Sequence, residues 1–161
     1  MLSTNDAFKA PFGPYPDMVD WVPFGDAAAL RRHFESKGAF TTAFIVEPIQ
    51  GEAGFILPPP GYLEEVKALC KEFNVLFIVD EIQTALGRAG KRLVSEDVHP
   101  DLVTLGKSLG GGITPYSGVL LDMKHAVFEP GEHGGTYAGN AFGSTIACAV
   151  IAELERMDAP S

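Results

Sequence analysis

Two apolar runs separated by one amphipathic stretch constrain this chain more than any other feature. Residues 41–46 (Thr-Thr-Ala-Phe-Ile-Val) and 75–79 (Val-Leu-Phe-Ile-Val) are short and rich in β-branched and aromatic side chains. They run apolar without alternation, the pattern of strands covered on both faces. Between them, residues 61–73 place Tyr62, Val66, Leu69, Cys70 and Phe73 on one helical face. Strand, crossover helix and strand over roughly 30 residues make a βαβ unit, with parallel strands and a right-handed crossover. A third strand is expected at 102–105 and a fourth at 117–121. Only 11 residues lie between Leu105 and Ser117, three of them Gly110, Gly111 and Gly112. A parallel return needs about a dozen residues or more, usually with a helix, so the fourth strand is predicted antiparallel to the third.

The flanking segments complete an α/β reading. Asp26 is placed to cap a short helix through Phe34, with Gly38 as its stop. Residues 141–157 form a closing helix with Ile146, Val150 and Leu154 on one stripe. Residues 1–25, rich in proline, glycine and aromatics, read as an irregular arm whose Trp21, Val22 and Phe24 call for burial. Residues 26–161 then form the sheet-containing domain. At 161 residues the chain fits about one domain.

Composition removes several function classes. Twelve basic against 21 acidic residues leave a net charge of −9, which argues against nucleic acid or an anionic membrane as the main partner. A G-x-x-x-G runs from Gly139 to Gly143 in a stretch free of Asp, Glu, Lys and Arg, but the apolar part is too short to span a bilayer. Cys70 and Cys148 cannot build a disulfide framework, and no apolar signal core occupies residues 1–9, so a reducing cytoplasmic setting is expected. His33, His99, His125 and His133 lack ligand spacing, so no metal site is expected.

The chemistry lies where the strands end. The first runs into Glu47, the second into Asp80 and Glu81, the third into Gly106 and Lys107. Ligands of open parallel α/β sheets bind outside the carboxyl ends of the strands, so Glu47, Asp80 and Lys107 are expected to face one crevice. From spacing alone, Lys107 is either a surface lysine paired with Asp80 or a functional amine. A nucleotide-binding P-loop does not fit, because Asp101 stands where its first glycine is needed and the glycines follow the lysine. A Schiff-base role does fit. Pyridoxal 5'-phosphate (PLP) chemistry needs a lysine at the cofactor aldehyde and a carboxylate at the pyridine nitrogen, and the negative charge stabilises the protonated ring.

Four segments taken in order carry a more specific signal: Val46-Glu47-Pro48-Ile49-Gln50-Gly51-Glu52, Val79-Asp80-Glu81-Ile82-Gln83-Thr84, Thr104-Leu105-Gly106-Lys107-Ser108-Leu109-Gly110-Gly111-Gly112 and His133-Gly134-Gly135-Thr136-Tyr137-Ala138-Gly139-Asn140. Together they resemble the class III PLP-dependent aminotransferases, most closely the ornithine, acetylornithine and ω-amino group, from about Pro11 to Leu154. The resemblance implies part of a fold type I large domain with PLP as cofactor. By the same resemblance Lys107 is the Schiff-base and proton-transferring lysine, and Asp80 is the carboxylate at the ring nitrogen. Ile82 packs under the ring, Gln83 lies near the phenolic oxygen, and Thr136 reaches the cofactor phosphate of a neighbouring subunit in a homodimer. Glu52 matches the glutamate that pairs with a substrate-gating arginine, while Glu47 shares its motif without an assigned role.

The implied reaction is transamination between an amino donor of the ornithine or ω-amine type and a 2-oxo acid. The alternative is a truncated, non-catalytic remnant that binds PLP or associates with a full-length relative. The chain departs from the family pattern at Ala85, Gly135 and Ala138. No glycine-rich phosphate loop, stacking aromatic or small domain is recognised, so a central fragment of the large domain is expected.

Overall fold

A computed structural model describes residues 2–3 and 5–158; the outermost parts of the two ranges assigned above, at residues 1, 4 and 159–161, lie outside the described residues. Four strands, β1 (Ala43–Val46), β2 (Leu76–Asp80), β3 (Leu102–Leu105) and β4 (Gly118–Leu121), form one sheet in the order β1-β2-β3-β4. The first two pairings are parallel and the third is antiparallel, as expected from the short glycine-rich connection. The result is a mixed α/β sheet.

Helix α1 (Asp6–Lys9) is a single turn inside the arm, started by Asn5, whose side chain accepts from the Ala7 N–H. The arm is therefore less irregular than expected. Helix α2 (Ala27–Lys37) begins as foreseen, with Asp26 accepting from the Ala29 N–H, but runs past Phe34 to Lys37. No helix breaker intervenes before Gly38 to end it sooner. Helix α3 (Tyr62–Glu72) is the crossover between β1 and β2, and α4 (Ala141–Arg156) closes the chain with Asn140 capping the Gly143 N–H.

The core is assembled on one face of the sheet. The register aligns Phe44 with Phe77 and Val46 with Val79, and Val79 with Val103. Side chains paired in this way share a face. Phe77 and Val79 are fully buried against Leu30 and Phe34 of α2 and Tyr62, Val66, Leu69 and Cys70 of α3. Val103 and Leu105 join Ala85, Leu109 and Ala147 in a second cluster. The alternate residues Leu76, Ile78 and Leu102 are only half-buried. The expectation of strands covered on both faces therefore fails within this chain: the apolar sequence is there, but one face is better covered than the other.

Burial also departs from expectation at single residues. Val22 and Phe24 pack against the first cluster, whereas Trp21 keeps 50% of its surface exposed, with the Lys9 ammonium 4.6 Å from its ring centre. Cys70 is buried and its thiol is pushed up to about 12 by that burial, so it behaves as a core hydrophobe. Cys148 is exposed despite its apolar neighbours, and both cysteines are free. The Gly139–Gly143 pair is not a membrane motif here. A side chain on Gly143 would overlap the Tyr116 ring, whose hydroxyl pairs with Ser144 at 2.7 Å, so that glycine serves a close ring–helix contact. Among the described residues no helix is long and apolar enough to cross a membrane.

Candidate active site

Parallel pairing of β2 with β3 brings their carboxyl ends to one rim. Asp80, the last residue of β2, lies beside Thr104 in the register, and Lys107 follows three residues beyond Thr104. The half-buried Asp80 uses one oxygen twice: Oδ1 accepts from Thr104 Oγ1 at 2.8 Å and from the Ile82 N–H at 3.1 Å. Its Oδ2 has no hydrogen bond among the described residues. Two donors fix the plane of the carboxylate and leave one acceptor edge open.

Lys107 starts a 3-10 turn, Lys107–Gly110, against which α4 packs. Its φ of 45° lies in the left-handed region, a conformation that costs a residue with a side chain on the order of 1–3 kcal/mol. The residue is exposed, and its amine has neither hydrogen bond nor ion pair among the described residues. Lys107 and Asp80 share the rim without forming the surface ion pair that spacing left open.

Ile82 lies against Gly106, within 3.4 Å of where a side chain on that glycine would begin, and so occupies the gap between the two strand ends. The half-buried Gln83 carboxamide rests on Gly51 of the loop after β1 and makes no hydrogen bond among the described residues. Glu47 opens that loop, and its Oε2 accepts from the Gly51 N–H at 2.9 Å. Glu52 and Thr136 sit on exposed loops, and neither is tied to the rim by a hydrogen bond or ion pair among the described residues.

Sequence reasoning missed three supports of this rim. Glu81 is fully buried and its carboxylate accepts from Thr84 Oγ1 at 2.7 Å and from the Ser95 N–H and Oγ at 2.8 Å each. This anchors the whole segment that follows Asp80. Thr104 orients Asp80, and Gly51 seats Gln83. Only the pairing of Asp80 with the strand ahead of Lys107 was foreseeable, from the βαβ pattern; the side-chain contacts depend on tertiary packing.

The comparisons with known proteins point to one family. The family model Aminotransferase class-III matches residues 4–159. An ornithine aminotransferase of Halalkalibacterium halodurans is 51% identical over 161 residues, covering 98% of this chain and 39% of that protein. A Toxoplasma gondii ornithine aminotransferase structure, described as having partial PLP occupancy at the active site, superposes with a TM-score of 0.91 at 38% identity, over 98% of this chain and 37% of that one. An acetylornithine aminotransferase structure from Elizabethkingia anophelis gives 0.82 at 41% identity, over 86% of this chain and 36% of the other.

The chain belongs to the class-III aminotransferases, PLP-dependent enzymes of fold type I. It spans about two fifths of the length of the curated relatives it matches.

The residues present fit such a cofactor. An open carboxylate edge, an amide and an unpaired amine stand at one rim with an aliphatic side chain among them. The carboxylate and the amine are the group types that a pyridine nitrogen and an aldehyde of such a cofactor call for.

Proposed function

We propose that residues 26–161 supply part of the PLP-binding domain of an aminotransferase that moves an amino group from an ornithine or ω-amino donor to a 2-oxo acid. The observation that carries the reading is the pair of unsatisfied groups, Asp80 Oδ2 and Lys107 Nζ, at the ends of neighbouring parallel strands. Bound PLP supplies an aldehyde with which amines condense and a protonated ring that draws electrons from the adjacent carbon. Asp80 holds the ring N–H through Oδ2, and its charge keeps that proton in place. Ile82 excludes water beneath the ring, and Gln83 donates to the phenolic oxygen. Lys107 Nζ would act as general base toward the donor's carbon while neutral and as general acid once protonated. Thr136 and Glu52 serve the phosphate of a partner subunit in a homodimer and a substrate gate. Two free cysteines suit a reducing cytoplasm.

The test is to incubate the chain with PLP, reduce with borohydride and map the modified peptide. Label on Lys107, lost in Lys107→Ala, is the expected result; label elsewhere, or none, contradicts it. The second reading is a non-catalytic piece that binds PLP or joins a full-length relative. Labelled chain that releases no carbonyl product from ornithine in the presence of a 2-oxo acid selects that reading.

A further inference from the structure

Glu47 stands at the rim with no role in the scheme above, and its surroundings assign one. Its carboxylate accepts the Gly51 N–H, while the Gly51 carbonyl accepts from the N–H groups of Gly54 and Phe55 at 3.0 and 3.3 Å. Two backbone hydrogen bonds of 3.0 Å between Gln50 and Ile56 close the same loop. The buried Gly51 is thus held on both its N–H and its carbonyl. The three atoms nearest to a methyl group on Gly51 all belong to the Gln83 carboxamide, and Oε1 would overlap it. The Gly51 backbone lies outside the left-handed region. Its lack of a side chain is therefore required by Gln83 and not by backbone conformation.

We propose that Glu47 and Gly51 are positioning residues: Glu47 fixes Gly51, and the bare α-carbon of Gly51 is the seat that aims the Gln83 carboxamide at the bound cofactor. The inference rests on the PLP reading for its consequence, but the seat itself exists without cofactor.

Two measurements separate the two. In the cofactor-free chain, the side-chain amide resonances of Gln83, one of only two glutamines, report its seat by NMR. Gly51→Ala and Glu47→Ala are expected to shift them, and Glu47→Gln, which keeps an acceptor, to restore the parent position. In PLP titrations followed by absorbance, Gly51→Ala is expected to weaken binding on the order of tenfold and to move the absorption maximum, because small misplacements of a positioned group are costly. In a Gln83→Ala background the same change is expected to add less than about twofold, since the clash is gone. Unmoved Gln83 resonances overturn the seat, as does an equal loss from Gly51→Ala in both backgrounds. A parent chain that moves Gln83 on substitution but takes up no PLP overturns the cofactor reading and the aim assigned to the carboxamide, leaving the seat intact.

Discussion

The two rims of the same sheet treat their aspartates differently. At the amino-terminal rim, Asp101 has both oxygens occupied: Oδ2 accepts from the Phe77 N–H at 2.9 Å, and Oδ1 faces Lys67 Nζ at 3.3 Å. His125 Nε2 is a further 3.7 Å neighbour, too far for a hydrogen bond. At the carboxyl-terminal rim, Asp80 has one oxygen doubly held and the other open, and Lys107 on the same rim has no carboxylate partner among the described residues. A polar group that only stabilises is paired by the protein itself, because burial without partners is costly. A polar group that serves a ligand is oriented on one side and left open on the other. The contrast sets the upper, carboxyl-terminal rim, proposed above to hold the cofactor, apart from the lower, amino-terminal one, although the residue types are the same.

Breaking the lower rim has the largest effect on stability. Asp101→Ala removes the acceptor of the Phe77 N–H and the partner of Lys67, and is expected to cost about 2 kcal/mol, the range for leaving a buried donor unpaired. Urea unfolding measures it, and an unchanged midpoint would remove the structural half of the contrast.

A smaller effect of opposite sign is expected at the upper rim. Lys107→Gly relieves the left-handed backbone and is expected to raise stability by about 1 kcal/mol while ending PLP attachment. Loss of stability in that variant would show that the turn tolerates lysine without strain.

The smallest effect is on pH dependence. Burial opposes the Asp101 carboxylate, but the Phe77 N–H and Lys67 outweigh it and hold the group below its ordinary value of 3.8. A depressed carboxylate contributes stability that is present above the unfolded value and lost as pH falls through the folded one. The midpoint of the parent is therefore expected to drop more steeply below pH 3.8 than that of Asp101→Asn. Parallel curves would contradict this.

How much of this was legible in the chain follows from what each feature depends on. The strand ends were readable because an apolar run that stops at Glu47, Asp80 or Gly106 is a local pattern. The reversal at β4 followed from the length of its connection. The helix end at Lys37 was missed because a stop signal bounds a helix without saying how far short of it the helix frays. Trp21 was expected inside because hydrophobicity was read without knowing which surface was available. Contacts such as Gly51 with Gln83, Glu81 with Ser95 and Tyr116 with Gly143 join residues 14 to 32 positions apart (83 − 51 = 32, 95 − 81 = 14, 143 − 116 = 27). No periodicity encodes them, and the fold alone creates them.

The central claim is that one aspartate is built for a ligand and the other for the fold. It is tested most directly by measuring PLP affinity and urea midpoint together for Asp80→Asn and Asp101→Asn. The expected result is crossed: Asp80→Asn loses PLP binding and keeps the parent midpoint, whereas Asp101→Asn lowers the midpoint and keeps the parent affinity. Both variants losing stability alone, with PLP affinity unchanged in Asp80→Asn, would contradict the account.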